Sequence, residues 1–164
     1  MPRRFYRKSV KVTGRSNWSH ENKGCAGTIA EQAVNGLYQG GAIVVPSITT
    51  QGTRTVGNFT ITVPFIGTPT ATDSEIYWAL VYIPQGESAK NLFATTGSVE
   101  GSLYEPNQYV MASGISDAQA GPIRIRSRIM RKLHSGDFIS LVIGMTNSNV
   151  ASFKALVSYS IKYN

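Results

Sequence analysis

Charge and cysteine are both scarce in this sequence. Lys, Arg, Asp and Glu together make up 15% of its 164 residues, well below the roughly 25% of an average soluble domain. A chain with so little charge is expected to bury much of its surface against partners. Cys25 is the only cysteine, which excludes a small secreted fold held together by disulfides.

Long apolar runs are also lacking. No run approaches the roughly 20 residues that a transmembrane helix needs, so no membrane partner is expected. The basic N-terminus is not followed by an apolar run either, and we therefore expect no secretory signal peptide. With 164 residues, 41% of them hydrophobic, the chain has the length of one domain and enough apolar residues for a packed core.

Residues with catalytic or metal-binding chemistry are few. Of the two histidines, His20 lies in a cationic segment and His134 opens the segment 134–137, His-Ser-Gly-Asp. A catalytic triad needs groups that converge from separate elements, whereas neighbours in a tight turn point apart. We therefore interpret 134–137 as a hairpin turn in which Gly136 has a positive φ. We expect no enzyme, no cofactor and no metal.

The acidic residues and the cysteine allow one alternative to that expectation. Six acids fall mostly in connections between predicted strands: Asp73, Glu75, Glu87, Glu100, Glu105 and Asp117. A calcium site between loops is one interpretation, and solvated carboxylates are the interpretation that we favour. Cys25 has no second thiol and no histidine at metal-ligand spacing, so we interpret it as structural.

The positive charge is concentrated at the N-terminus. The formal net charge is +7, which predicts an acidic partner. Residues 1–23 contain seven basic side chains against one acidic side chain, a net of +6, and residues 24–164 contain nine against eight, a net of +1. We therefore predict a short basic arm, 1–23, which like-charge repulsion keeps disordered when free, and a nearly neutral body, 24–164.

The arm combines cations with aromatic rings. Cations bind phosphates and rings stack on unpaired bases, a combination typical of sequence-independent binding to single-stranded nucleic acid. The candidate binding residues are Arg3, Arg4, Phe5, Tyr6, Arg7, Lys8, Lys11 and Arg15. A solubilising tail is the alternative interpretation, and a nuclear import signal in residues 2–8 stays open as an additional use.

The body has the pattern of an all-β protein. In 153–163, for example, apolar and polar residues alternate, which predicts a half-buried strand of an antiparallel sheet. Eight such runs, separated by turn signals, predict an eight-stranded sandwich, either a jelly roll or an immunoglobulin-like fold. Two long connections, 64–75 and 84–107, favour the jelly roll and are typical of functional or contact surfaces. The predicted strands are 27–34, 40–48, 54–63, 75–83, 108–115, 122–131, 137–146 and 153–163.

Two segments of the body carry candidate contact residues. The run 76–83 is apolar on both faces, so we expect a central strand covered on both sides or a strand whose outer face meets another subunit. We expect Trp78, and Tyr104 in the long connection, to lie at a subunit interface. In the predicted strand 122–131, Arg124, Arg126 and Arg128 share one face. They are candidate phosphate ligands, or alternatively a solvated or subunit-facing edge that prevents aggregation.

Several stretches of the body, in order, resemble the capsid proteins of small circular Rep-encoding single-stranded DNA viruses of the circovirus-like kind. They are RTVGNFTITV at 54–63, WALVYIPQGE at 78–87, SLYEPNQYVMASGI at 102–115, IRSRIMRKLHSGDFISLVI at 125–143 and VSYSIKY at 157–163. The resemblance extends over roughly residues 50–163. It implies a single jelly roll that self-assembles into a small icosahedral shell around a circular single-stranded DNA genome. The smallest icosahedral shell has roughly 60 equivalent subunits, so we expect a homo-oligomer of that size.

The sequence departs from that family in two places. Its basic arm is short where many relatives carry a long arginine-rich arm, which puts in doubt how much genome charge the protein neutralises. His134 stands at a turn position where we expect Asn in relatives, and this departure affects only the turn.

Three classes of function remain after these observations. The first is a viral coat protein, found in the virion and in the host nucleus during assembly, with a host receptor of unidentified kind. The second is a secreted or cell-surface jelly-roll module, such as a trimeric cytokine-like or carbohydrate-binding domain. The third is an enzyme, which the small inventory of catalytic residues disfavours. The sequence favours the coat protein.

Overall fold

The computed structural model describes residues 17–29, 31–32, 38–64, 75–87, 109–117, 120–145 and 151–163, and every regular element in these ranges is a β-strand. Apolar and polar side chains alternate along most of these segments, and this period of two suits a strand with one buried face. The strands in chain order are β1 Ser19–Ile29, β2 Glu31–Gln32, β3 Tyr38–Val45, β4 Arg54–Val63, β5 Glu75–Ile83, β6 Tyr109–Asp117, β7 Ile123–Ser127, β8 Arg131–Leu133, β9 Phe138–Met145 and β10 Ala151–Tyr163.

The strands form two antiparallel sheets that pack as a sandwich. The first sheet has the order β1-β10-β4-β7, with β8 also paired to β4, and the second has the order β2-β3-β9-β5-β6. If β7 and β8 count as one interrupted strand and the two-residue β2 is set aside, eight strands remain. The first of the eight pairs with the last, the second with the seventh, the third with the sixth and the fourth with the fifth. A ribbon of four such pairs rolled into two sheets is a jelly roll, so the predicted fold class is confirmed.

Two strands differ most from the prediction. β1 begins at Ser19 rather than at residue 27, inside the range assigned to the arm. Its Gly, Ala and Thr residues give no apolar alternation, and an antiparallel ladder with β10 holds the strand in place. The predicted strand 122–131 is interrupted at 128–130. There the Ser127 hydroxyl accepts a hydrogen bond from the Ile129 backbone N–H at 3.3 Å, and such local bonds compete with the sheet ladder.

The core lies between the two sheets. The alternation predicted in β4 and β10 is confirmed, since Phe59, Ile61, Val157 and Tyr159 are buried while their neighbours in sequence are more exposed. The rings of Phe59 and Tyr159 stack with centroids 5.8 Å apart. Burial of each such side chain contributes about 1.5–3 kcal/mol to stability. The Tyr159 hydroxyl donates a hydrogen bond to the Glu21 carboxylate at 2.5 Å. Burial raises the pKa of Tyr159, and this hydrogen bond raises it further.

The central strand β5 is buried on both faces. It lies between β9 and β6, and its inward residues, including Ile76 and Leu80, belong to the main core. Its outward residues Ala79 and Val81, together with Val142 of β9, form a second buried apolar cluster. A strand covered on both sides was one of the two interpretations of the apolar run 76–83.

A buried carboxylate joins two turns at one end of the sandwich. Asp137 follows the turn 134–136, in which Gly136 has a φ of +85°, as predicted for that segment. Its carboxylate accepts hydrogen bonds from the Tyr82 hydroxyl at 2.8 Å, the Gln85 N–H at 3.1 Å and the His134 N–H at 2.7 Å. Three donors satisfy this buried acid, so we interpret Asp137 as structural rather than catalytic.

The guanidinium of Arg54 lies at the same end and is also buried. It donates to the backbone carbonyl of Pro46 and, at 3.3 Å, to the backbone carbonyl of Asp137. Arg54 thereby ties the start of β4 to the connection after β3 and to the turn before β9. Polar contacts therefore join the connections at this end of the sandwich.

Replacement of Asp137 should therefore destabilise the fold strongly. We expect Asp137→Ala to lower the free energy of unfolding by about 2–4 kcal/mol, because three donors lose their acceptor. Urea denaturation followed by tryptophan fluorescence measures the change. Glu87→Ala, which removes an exposed carboxylate near the same turn, is the control and should change stability by less than about 0.5 kcal/mol. Equal effects of the two variants would contradict the structural role of Asp137.

Candidate nucleic-acid interface

The three arginines of the predicted strand lie on the outer side of the first sheet. In β7, Arg124 and Arg126 are exposed and alternate with the buried Ile123, Ile125 and Ser127. Arg128 follows the strand directly and is exposed as well. The inward apolar residues hold the strand against the core, and the guanidiniums are thereby directed away from it.

Other strands add cations to the same outer side, which we call the basic face. It consists of the outward-pointing residues of β1, β10, β4, β7 and β8, together with Arg128, which directly follows β7. Of the nine lysines and arginines whose side chains the structure describes, six lie on the basic face, and the other three, Lys23, Arg54 and Arg131, point to the inner side. The six are Arg124, Arg126, Arg128, Lys132, Lys154 and Lys162.

Acidic side chains are absent from the described part of the basic face. Glu21 points to the inner side, where it bonds Tyr159. Glu75 and Asp117 lie opposite each other in the ladder between β5 and β6, on the second sheet. The outward-facing charges of the described strands are therefore segregated, with cations on the outer side of one sheet and an acidic pair on the other sheet. A net charge of only +1 over residues 24–164 conceals this separation.

Between the cations, the basic face carries mostly small polar side chains, with the exposed Leu156 of β10 as an apolar exception. One row across the sheet runs from Asn22 through Ser158 and Thr60 to Arg126, as the strand registers show. In the next row His20 faces Ser160, whose hydroxyl lies 3.3 Å from His20 Nδ1. Hydroxyl and amide groups can donate to phosphate oxygens without reading bases. The composition of the face therefore suits a polyanion bound through its backbone.

A bulge shapes the middle of the basic face. β4 holds one extra residue between the positions that pair with Ser158 and Ser160. Asn58 at this bulge has a φ of +54°, and the adjacent Gly57 packs so closely on Met130 that a Cβ there would lie 2.8 Å from the Met130 Cγ. Beside the bulge is a shallow cavity of about 160 Å³, lined by Asn58, Phe59, Thr60, Arg126, Ser127 and Arg128.

The remaining predicted site residues have different positions. The arm residues Arg3 to Arg15 and the candidate interface residue Tyr104 lie outside the described residues. Trp78 is half-buried on the inward side of β5, next to the core. Its indole N–H donates to the Ser116 hydroxyl at 3.1 Å, and its ring covers Gly114. Trp78 therefore serves the packing of the subunit, because its ring lies over Gly114 of the neighbouring strand β6.

Sequence reasoning missed part of the basic face. Lys154 and Lys162 occupy the polar positions of a strand that was predicted correctly, and Asn58 and Thr60 occupy those of another. The pattern of each strand predicts that these side chains point away from the core. It does not tell which strands are neighbours, so the contribution of β10 and β4 to the surface around the arginines was not predicted.

The described residues offer neither a metal-binding cluster nor a membrane-spanning helix. In these ranges, no cluster of three or more His, Cys, Asp and Glu side chains is arranged to hold a metal ion. Cys25 is half-buried and unpaired, and burial raises the pKa of its thiol. Among the same residues, no helix has the length and hydropathy that a transmembrane segment requires.

Comparison with known proteins adds a structural likeness. No protein-family model matches the sequence, and no curated protein matches it. Among solved structures, the chain is similar to the crystal structure of a decameric BFDV capsid protein, with a TM-score of 0.38 and 7% sequence identity over 90% of this chain and 98% of that chain. A likeness at this score carries no functional conclusion, and the case for function depends on the chain's own residues.

Neutralising the three arginines should reduce the nucleic acid that the protein holds. We expect the triple variant Arg124→Gln, Arg126→Gln, Arg128→Gln to fold normally, because the side chains are exposed, and to retain less nucleic acid after purification. The 260/280 nm absorbance ratio measures the content. The triple Arg→Lys variant is the control, since it keeps the charge and should keep most of the content. Unchanged content in the Gln variant would remove the arginines from the interface.

Proposed function

We propose that the chain is a viral coat protein that self-assembles into a small icosahedral shell and packages single-stranded DNA. The observation that carries the proposal is the segregation of charge. All six described outward cations lie on one side of the sandwich, without an acid among the described residues of that face. In a closed shell, such a face is favourable where it meets the packaged polyanion. The basic face therefore points to the interior, and the second sheet faces away from the nucleic acid.

The arm extends the same interface. It joins the folded body at Ser19, the first residue of β1, and β1 belongs to the sheet that carries the basic face. The arm is therefore joined through β1 to the sheet that carries the basic face, and we propose that both contribute cations toward the interior. The long, flexible arm side chains bind phosphates without base readout, and the arm rings stack on unpaired bases.

The number of cations limits how much genome the shell neutralises. The residues before β1 supply six cations, and the basic face supplies another six. In a shell of roughly 60 copies, about 720 positive charges then face the nucleic acid, and each nucleotide carries one negative charge. A genome of more than about a thousand nucleotides exceeds this supply. Metal cations or polyamines neutralise the rest, so the protein tethers its cargo without neutralising it completely.

The choice of DNA, the virion as location and assembly in the host nucleus follow from the resemblance of residues 50–163 to circovirus-like capsid proteins. A nuclear import signal in residues 2–8 agrees with assembly in the nucleus. The scarcity of charge in the rest of the chain agrees with a subunit that buries much of its surface against neighbours. A coat protein needs no catalytic residue. The structural role of Asp137, whose buried carboxylate accepts three hydrogen bonds, agrees with such a function.

Deletion of residues 2–15 tests the arm and the assembly together. The deletion removes six cations and leaves every strand of the body intact. We expect closed shells, seen by electron microscopy, with a clearly lower 260/280 nm absorbance ratio than full-length particles have. Shells that retain their full nucleic acid content without the arm would contradict its role. A chain that forms only trimers or monomers at full length would instead support the secreted module or another class.

The subunit interface is tested at Tyr104. We propose that the connection 84–107 contacts a neighbouring subunit, so Tyr104→Asp should prevent shell formation by placing a charge in an apolar contact. Trp78→Asp is a poor probe, because a charge beside the core would unfold the subunit itself. Circular dichroism should show that Tyr104→Asp keeps its β structure while size-exclusion chromatography shows small species. Normal shells from this variant would contradict the contact.

A further inference from the structure

We propose that the cavity beside the bulge in β4, which we call the bulge pocket, is a discrete binding site for one backbone phosphate of a nucleic acid strand. The proposal rests on the proposed function, because it assigns one specific contact within the basic face. The pocket is defined by Asn58 and Thr60 of β4 and by Arg126 and Arg128 at the end of β7.

The register brings the donors of the pocket together. Thr60 pairs directly with Arg126, so their outward side chains stand about 4.5–5.5 Å apart at Cβ. Arg126 belongs to β7, Arg128 directly follows that strand, and both line the cavity. Their guanidiniums can therefore approach one tetrahedral anion from two sides. A guanidinium binds phosphate with two parallel N–H bonds, a geometry that the point charge of lysine cannot reproduce.

The bulge adds an uncharged donor. Asn58 Nδ2 lies 3.5 Å from the Ser160 Oγ, which is longer than the usual 2.7–3.2 Å of an N–H···O bond, so this contact is weak. The amide retains donor capacity for a ligand. Glycine would adopt the φ of +54° at position 58 without steric cost. The backbone conformation at this bulge therefore does not by itself require the amide of Asn58. Bulges commonly redirect a side chain next to a functional site.

Size and composition favour phosphate over a base. The pocket volume is about 160 Å³, and one water occupies about 30 Å³ of liquid, so a phosphate group fits together with part of its hydration. The only aromatic residue of the lining is Phe59, which is 1% exposed and packs in the core. The lining therefore offers no ring on which a base could stack, whereas stacking is the usual contact for unpaired bases.

The salt dependence of the binding constant measures how many phosphates the arginines contact. The full-length chain is titrated into a fluorescein-labelled 20-nucleotide oligothymidylate at several salt concentrations, with fluorescence anisotropy as readout. Each phosphate contact on a single strand contributes about 0.7 to the slope of log K against log salt concentration. If both arginines hold one phosphate, Arg126→Gln with Arg128→Gln should lower the slope by about 0.7. A decrease of about 1.4 would mean two separate phosphates and would overturn the pocket.

The matched control for this slope is the double variant Lys154→Gln with Lys162→Gln. It removes the same charge from the same face, outside the pocket. The two lysines are eight residues apart on β10, about 27 Å along the strand, so they cannot share a phosphate. Their removal should lower the slope by up to about 1.4. A decrease of about 1.4 for both the lysine and the arginine pair would also overturn the proposal.

Asn58→Gly tests the pocket without any change of charge. Glycine fits the backbone at this position, so the variant should fold with unchanged or higher stability, which thermal unfolding verifies. We expect roughly three- to tenfold weaker binding of the oligothymidylate, from the loss of one donor to a charged acceptor. Gln51→Ala removes an exposed amide outside the basic face and should change binding less than about twofold.

The outcomes separate the pocket from the coat function. Wild-type binding to the oligothymidylate with a loss in Asn58→Gly and not in Gln51→Ala supports the pocket. Wild-type binding with no loss in Asn58→Gly overturns the pocket and leaves the coat function in place. A full-length chain that neither binds the oligothymidylate nor forms particles overturns both proposals.

Discussion

The pairing of β10 with both β1 and β4 is the constraint on which the first sheet depends. β10 is thirteen residues long, and its ladder with β1 runs over Ser19 to Ile29. Along it, every second residue from Phe153 to Ile161 is buried. A slip of one residue would exchange the two faces, move Tyr159 out of the core and turn Lys154 inward. Core packing and the placement of the cations are therefore set by the same register.

This register separates an apolar inner surface from a cationic outer surface, with little electrostatic destabilisation of the subunit. The inner face of the first sheet is apolar, and its outer face carries cations with hydroxyl and amide groups between them. Like charges on one face repel, and the exposed side chains limit this repulsion because solvent screens them. A bound polyanion would attract these cations and thereby outweigh the remaining repulsion between them. The segregation is thus a modest cost for an isolated subunit and an advantage for a subunit bound to nucleic acid.

The ends of the sandwich use different contacts from its middle. Apolar rings and branched side chains fill the space between the sheets, whereas the turns beside β4 and β9 are joined by the carboxylate of Asp137 and the guanidinium of Arg54. A buried polar group is favourable only when its partners are present, so this end depends on a few specific hydrogen bonds. The bulge at Asn58 is a second local departure from regular structure. It lies on the basic face, where the cavity opens between β4 and β7.

The sequence by itself determined where most strands run, because burial of one face imposes a period of two that needs only local information. The runs 54–63 and 75–83 coincide with β4 and β5, while β1 was predicted poorly because its Gly, Ala and polar residues lack that period. The sequence also identified Arg124, Arg126 and Arg128 as one face of one strand. Only the tertiary structure decided that Lys154, Lys162, Asn58 and Thr60 share the surface with them. Strand order depends on pairings between distant residues, such as Ser19 with Ile161, and local alternation contains no information about which strand lies beside which.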